Sequence, residues 1–161
     1  MSNGKDLHII GVGNLTRLDD GVAIRIIQEL EKITFPKNIK ITDLGTGGVD
    51  IALALDNWKH AIIIDAVDIK NLKPGAIVEF EIKDKNLPEV KGLSSTHGFD
   101  ALTALKLAFA LDDFTLPKEI LIIGVQVKNL EGFGVGLSKE VEDAIPNVIS
   151  RIQELITKYK I

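Results

Sequence analysis

Hydrophobic and polar residues alternate in short blocks along the chain, and the lengths of these blocks predict a β-sheet. Residues 7–13, 61–65 and 120–125 are almost entirely apolar. Runs of this length are typical of strands that are buried on both faces of a sheet. Residues 38–44 and 76–82 instead alternate apolar with polar side chains, as expected of strands with one solvated face. We therefore expect these two strands at the edges of the sheet.

Helical spacing of apolar residues connects the predicted strands. In residues 21–33 the apolar positions recur at intervals of three or four, with charged residues between them, which predicts an amphipathic helix. Residues 49–56 and 99–111 are the next predicted helices. The last helix is expected to run from Ser138, a favourable N-cap residue, to Tyr159. Strands that alternate with helices in this way predict an α/β fold.

The lengths of the connections predict the order of the strands. Only residues 66–75 separate the third strand from the fourth, whereas a parallel return needs a crossover of a dozen or more residues. The fourth strand is therefore expected to run antiparallel. Strands two and four are placed at the edges and the apolar strand five in the interior, which gives the order 2-1-3-5-4. We expect one domain over residues 1–161.

Composition and charge narrow the functional classes. The 161 residues carry a net charge of -4 and contain no cluster of basic residues. The sequence therefore offers no positively charged surface of the kind that binds nucleic acid. The sequence contains no cysteine, which excludes disulfides, thiolate nucleophiles and zinc sites built on sulfur. The start, MSNGKDLHII, lacks the apolar core expected of a signal peptide, and no apolar run approaches the ~20 residues that a membrane helix needs. We expect a soluble cytoplasmic protein that does not act on membranes.

The predicted topology gathers three polar side chains. In open doubly wound sheets the ligand lies at the carboxyl ends of the parallel strands, here between strands one and three. Asp20 follows strand one, Asp65 closes strand three, and the long loop before the third helix brings His97 to the same edge. His8 and His60 lie at the opposite edge, where these strands begin. Two carboxylates and one imidazole suit a divalent transition metal with an open coordination position.

Each of these residues also has a structural interpretation. Asp20 could simply cap the helix that follows it, and its neighbour Asp19 is expected to be solvated. Asp65 could bind loop amides, although an ionised acid at the end of a central strand is costly without a partner. His97 could lie beside a helix start without binding a ligand. The joint placement of the three favours the metal site.

Two glycine-rich segments are weaker signals. Gly11-Val12-Gly13 follows a strand as in a dinucleotide-binding fingerprint, but Thr16 stands where the third glycine is required. A bound nucleotide is therefore disfavoured, and we expect no organic cofactor. The loop Gly132-Phe133-Gly134-Val135-Gly136 follows strand five and is interpreted as a lid, a partner contact or a plain turn.

The order of these motifs resembles that of the NiFe-hydrogenase maturation endopeptidases over nearly the whole chain. The motifs are GVGN before Asp19-Asp20-Gly21, Asp43 with Gly45-Thr46, IIIDAV around Asp65, His97-Gly98, and IIGVQ in strand five. The resemblance implies a three-layer α/β/α sandwich on a five-stranded mixed sheet. It also implies a metal-binding trio at Asp20, Asp65 and His97, with Asp43 as a further catalytic or orienting residue. Val127 departs from the family pattern, which often has proline there.

The resemblance further implies an activity and a partner. Such enzymes remove a C-terminal extension from the precursor of the hydrogenase large subunit once nickel has been inserted. Nickel would then be carried by the precursor and read by the protease. We expect the protease to be a monomer. Two alternatives remain open: a binding module that checks nickel without cutting, and a small-molecule metallohydrolase with its own ion.

Overall fold

The computed structural model describes residues 4–46, 50–93 and 100–161. These residues form a five-stranded sheet, four α-helices and a short 3-10 turn at Leu18–Gly21. In chain order the elements are β1 (Leu7–Val12), α1 (Val22–Leu30), β2 (Ile39–Asp43), α2 (Asp50–Leu55), β3 (His60–Val67), β4 (Ile77–Lys83), α3 (Asp100–Ala110), β5 (Glu119–Gln126) and α4 (Lys139–Lys158).

The strand order is β2-β1-β3-β5-β4. The strands β2, β1, β3 and β5 run parallel to one another, and β4 pairs with β5 antiparallel. Both the predicted order and the predicted direction of β4 are confirmed. In the register, Val12 lies opposite Asp65 and Gly11 lies opposite Asp43, so that the carboxyl ends of β1, β2 and β3 share one edge of the sheet.

The interior strands are buried on both faces because helices cover each side of the sheet. Ile9, Ile62 and Ile123 pack with α1 and α4 in one hydrophobic cluster. The residues next to them in sequence, Ile10, Ile63 and Ile122, pack with α2 and α3 in a second cluster. Neighbouring residues of a strand point to opposite faces, so the continuous apolar runs supply both cores. The result is the expected three-layer α/β/α sandwich.

The third strand extends further than the sequence predicts. It continues past Asp65 to Val67 because β5 also continues, and Val67 lies opposite Gln126. The side chain of Gln126 is buried and its Oε1 accepts a hydrogen bond from the Ile69 amide at 2.9 Å. Asp65 therefore lies within the sheet instead of at the end of a strand, which was not expected. The side chain of Asp65 is therefore more buried than that of a loop residue at this edge would be.

The beginnings of the strands form the opposite edge. His60 is the first residue of β3 and lies opposite Leu7, the first residue of β1. His8 is buried, and its ring nitrogens lie 2.6 Å from the Ala54 carbonyl oxygen and 2.7 Å from the Thr42 hydroxyl. The prediction that both histidines lie away from the carboxyl edge is confirmed. Among the described residues, the helices include none whose length and apolar character would suit a membrane span.

Candidate active site at the carboxyl edge of the sheet

The turn after β1 brings the backbone of Asp20 against the end of that strand. A Cβ atom built on Gly13 would lie 2.2 Å from the carbonyl oxygen of Asp20, so no larger residue fits there without moving the turn. The Asn14 amide donates to the same carbonyl oxygen at 3.3 Å, and the Gly13 amide donates to the Gly45 carbonyl at 2.6 Å. The glycine after β1 therefore serves a close backbone approach that positions Asp20.

Asp20 does not cap the first α-helix. It lies inside the 3-10 turn, and the N-cap position of α1 is occupied by Gly21. The capping interpretation of Asp20 is therefore wrong. Burial raises the pKa of the Asp20 carboxyl group, and the negative charge of Asp100 raises it further, while Arg17 and the Asn14 amide act in the opposite direction. The side chain is partly exposed, so an incoming ligand can reach it.

Asp65 provides the second carboxyl group of the site. It is 1% exposed, and its Oδ2 atom accepts a hydrogen bond from the Ala101 amide at 2.8 Å. Burial raises the pKa of Asp65 well above its ordinary range, and the charges of Asp100 and Asp20 add to this effect. The interpretation of Asp65 as a residue that binds backbone amides is thus partly correct, since its carboxyl group accepts a hydrogen bond from one of them. That amide belongs to the first turn of α3, which confirms that α3 begins at this edge.

Asp100 is a third acid near the site that the sequence analysis missed. It is the first residue of α3, and its charge raises the pKa of both Asp20 and Asp65. Crowded carboxylates in a site of low polarity destabilise one another's ionised forms. In the sequence, Asp100 stands two residues after the His97-Gly98 motif. It was overlooked because acids are common at helix starts, where they stabilise the helix without any role in a site.

Two of the three predicted metal ligands lie among the residues that the structure describes. Asp20 and Asp65 are brought together, whereas His97 lies outside the described residues. Within residues 4–46, 50–93 and 100–161, there is no group of three or more His, Cys, Asp or Glu side chains arranged to hold a metal ion. The two placed carboxyl groups offer oxygen donors, and a complete shell needs donors from elsewhere.

Asp43 lies at the same edge, one strand away from Asp20. It is the last residue of β2 and is exposed, and its Oδ1 atom accepts a hydrogen bond from the Gly45 amide at 2.7 Å. This bond two residues along the chain is an Asx-turn, which fixes the loop after β2. The Gly45 carbonyl in turn accepts the Gly13 amide. Asp43 thus shapes the loop that meets the end of β1, and a catalytic role for it stays a prediction.

Asp19 is buried, and the expectation of a solvated neighbour is wrong. It is 0% exposed. Its carboxylate accepts hydrogen bonds from the amides of Lys128 at 2.9 Å, Asn129 at 2.8 Å and Ser138 at 2.7 Å, and from the Ser138 hydroxyl. These donors lie more than one hundred positions away in the sequence, on the segment between β5 and α4, so no local pattern predicts them. Ser138 does occupy the N-cap position of α4, but its hydroxyl donates to Asp19.

The hydrogen bonds determine the ionisation of Asp19. Burial by itself raises the pKa of the Asp19 carboxyl group, but the donors from Ser138, Asn129 and Lys128 outweigh it, so that the pKa lies below its ordinary value. Asp19 is therefore a structural anion, whereas the pKa of Asp20 beside it is raised. The two adjacent carboxyl groups thus differ in role: Asp19 holds the segment before α4, and Asp20 is the candidate site residue.

The departure at Val127 has a structural counterpart. Val127 is buried, and its amide donates a hydrogen bond to the Val67 carbonyl at 3.0 Å. Proline has no amide hydrogen and could not make this bond. With valine at this position, the hydrogen bonding between β3 and β5 continues for one more residue. The segment that contacts Asp19 begins directly after it, at Lys128.

Comparisons with known proteins agree with this geometry. A family model described as hydrogenase maturation protease matches residues 24–155. A candidate hydrogenase maturation protease from Methanocaldococcus jannaschii is 33% identical over 158 residues, which make up 96% of this chain and 98% of that protein. The structure is similar to the hydrogenase maturating endopeptidase HybD from Escherichia coli, with a TM-score of 0.79 and 26% identity over 95% of this chain and 93% of that chain.

A second solved structure has the same fold and a related description. The NiFe hydrogenase maturation protease HybD from Thermococcus kodakarensis superposes with a TM-score of 0.73 and 28% identity, over 93% of this chain and 98% of that chain. The resemblance inferred from the motifs is thus confirmed by whole-chain similarity. The chain belongs to the hydrogenase maturation protease family, and it is a peptide hydrolase.

Proposed function

We propose that this protein is the endopeptidase that removes the C-terminal extension of a NiFe-hydrogenase large-subunit precursor after nickel insertion. In this proposal Asp20, Asp65 and His97 bind the nickel that the precursor carries. The observation that supports it is the meeting of Asp20 and Asp65 at the carboxyl edge of the sheet, where both pKa values are raised. The similarity to a NiFe hydrogenase maturation protease supports the class of substrate.

The electrostatics of the edge favour a cation that arrives with the substrate. Burial and the negative charge of Asp100 disfavour the ionised forms of Asp20 and Asp65. A divalent ion stabilises carboxylates strongly and lowers their pKa values. Binding of a nickel-loaded precursor would therefore relieve the repulsion, whereas a nickel-free precursor would leave it in place. Such an edge discriminates between the two precursors by charge.

Hydrolysis of the peptide bond also needs a group that handles protons. Water must lose a proton as it adds to the carbonyl carbon, and the leaving amine must gain one when the bond between carbon and nitrogen breaks. A carboxyl group is most effective in such a transfer when its pKa lies near the working pH. Nickel would lower the pKa of Asp65, so we assign Asp65 to the metal and name Asp43, the exposed acid at the same edge that is not assigned to nickel, as the candidate proton acceptor. Polarisation of the carbonyl by the substrate's nickel is the alternative means of activation.

The decisive experiment is incubation with nickel-loaded and nickel-free precursor, followed by mass analysis of the precursor's C terminus. We expect shortening of the nickel-loaded form alone. The variants Asp65→Asn and His97→Ala each remove a proposed nickel ligand and should bring the rate down by about 100-fold or more. Asp113→Asn, at an exposed position after α3, is the matched control and should retain full activity.

The outcomes separate the proposed function from its alternatives. An unchanged C terminus together with tight binding would indicate a binding module that does not cut. Stoichiometric metal in the purified protein without precursor would favour a metallohydrolase with its own ion. Equal cleavage of both precursor forms would contradict the nickel-reading role. Full activity of Asp65→Asn would remove Asp65 from the proposed metal site.

A further inference from the structure

Two large apolar side chains are exposed in the segment between β5 and α4. Phe133 is 88% exposed and Val135 is 82% exposed. Burying side chains of this size is favourable, and here that gain is left to a partner. The segment Gly132–Gly136 is uncharged, and Leu130 and Leu137 on either side of it pack against the core formed by α1 and α4. The exposed pair is thus displayed by a segment anchored at both ends.

The backbone of the segment is paired with the turn that carries Asp20. The Gly134 amide donates to the Thr16 carbonyl at 2.8 Å, and the Leu18 amide donates to the Gly134 carbonyl at 3.1 Å. A Cβ atom on Gly134 would lie 3.1 Å from the Leu18 side chain. Gly134 therefore faces the turn closely. Phe133 and Val135 on either side of it are both largely exposed, so their side chains point away from the turn into solvent.

The apolar pair lies close to the carboxyl edge of the sheet. Gly134 forms a β-bridge with Arg17, and the Asp20 amide donates to the Arg17 carbonyl at 3.1 Å. A turn closed by such a bond brings its end residues within about 7 Å of one another, and strands that pair are about 5 Å apart. The segment is therefore within about 12 Å of Asp20 in its backbone. A protein bound at the edge would also cover the segment.

We propose that Phe133 and Val135 form a docking surface for the precursor polypeptide, which contacts them through apolar side chains next to its metal centre. This inference rests on the proposed function and names the part of the substrate that the segment binds. Charge supports the assignment, since an uncharged apolar segment beside an acidic edge fits a partner whose apolar surface flanks a cation. A second copy of the chain fits less well. The pair can bury only roughly 300 Å², far below the 1,200 Å² or more typical of stable interfaces.

The test is steady-state processing of nickel-loaded precursor by the double variant Phe133→Ser/Val135→Ser. Loss of two buried apolar contacts should raise KM by about tenfold or more and leave kcat within about twofold, because ground-state and transition-state binding are weakened equally. Phe133→Leu keeps an apolar side chain and should retain most of the affinity. Leu107→Gln, at a 45% exposed position on α3, is the control and should leave both constants unchanged.

Each outcome decides the inference. An unchanged KM in the double variant overturns it, as does a fall in kcat alone, which would indicate a role in the chemical step. Sedimentation that shows a dimer in the wild type and a monomer in the double variant would assign the surface to a second copy and overturn it too. Unfolding curves of the variants should match that of the wild type. Failure of the wild type to cut any precursor would refute the proposed function itself, which distinguishes that failure from an unchanged KM.

Discussion

Replacing Asp19 with asparagine tests how the carboxyl edge of the sheet is supported. The substitution keeps the size of the side chain and removes its charge. In the wild type, Oδ1 accepts the Ser138 amide, and Oδ2 accepts the amides of Lys128 and Asn129 and the Ser138 hydroxyl. Asparagine has one acceptor oxygen, and its amide group must then face at least one of these donors. The segment between β5 and α4 would lose part of its anchorage.

The magnitude follows from the hydrogen bonds involved. A hydrogen bond to a charged group contributes about 1.5–3 kcal/mol, and a buried donor left without an acceptor costs about 1–3 kcal/mol. Even if the Ser138 hydroxyl reorients, Asp19→Asn should lower the free energy of unfolding by about 3 kcal/mol. With a urea m-value of about 2 kcal/mol/M, the midpoint should fall by about 1.5 M.

Urea unfolding at neutral pH measures this loss, and the neighbouring acid supplies the control. Because the pKa of Asp20 is raised by burial and by Asp100, Asp20→Asn should leave the midpoint unchanged or raise it slightly. The pKa of Asp19 is lowered in the folded state, so its stabilisation is present above the ordinary value of 3.8 and is lost as the pH falls through the folded-state pKa. A midpoint for Asp19→Asn within about 0.3 M of the wild type would refute this account of the anchorage.

Three further predictions concern the site and the core. Asp65→Asn should be more stable than the wild type at neutral pH, because the raised folded-state pKa means that ionising Asp65 costs stability as the pH rises; thermal unfolding at pH 5 and pH 8 measures this, and a less stable variant at pH 8 would contradict it. Gly13→Ala should reduce processing by about tenfold or more, since its Cβ atom would displace the Asp20 backbone; unchanged kcat/KM would contradict it. Burial lowers the pKa of His8 from 6.5 to about 4, so the wild type should lose up to about 3 kcal/mol relative to His8→Gln as the pH falls from 6.5 to 4; parallel stability curves for the two proteins would contradict it.

The parts of the fold that short-range patterns determine could be predicted from the sequence. The apolar runs identified the interior strands, and the alternating segments identified β2 and β4 as edges. The ten residues between the predicted third and fourth strands were too few for a parallel crossover, which gave the direction of β4. The same topology predicted that α3 starts near Asp65, and the bond from the Ala101 amide confirms it.

The parts that depend on contacts between distant residues could not be predicted. Asp19 and Asp20 are identical in type and adjacent, and their environments differ because a segment more than one hundred residues later supplies amides to one of them. Asp100 was missed for a related reason, since its effect on Asp20 and Asp65 arises from the packing of α3 against the edge. The extension of β3 past Asp65 likewise depends on its pairing with β5.

The central claim is that Asp20 and Asp65 read nickel on the precursor. Its most direct test is the ratio of kcat/KM for nickel-loaded over nickel-free precursor, measured for the wild type and for Asp20→Asn. We predict a ratio of about 100 or more for the wild type, equivalent to about 2.7 kcal/mol of discrimination, and a ratio at least about tenfold smaller for the variant. A wild-type ratio near one, or a ratio unchanged by Asp20→Asn, would contradict the claim.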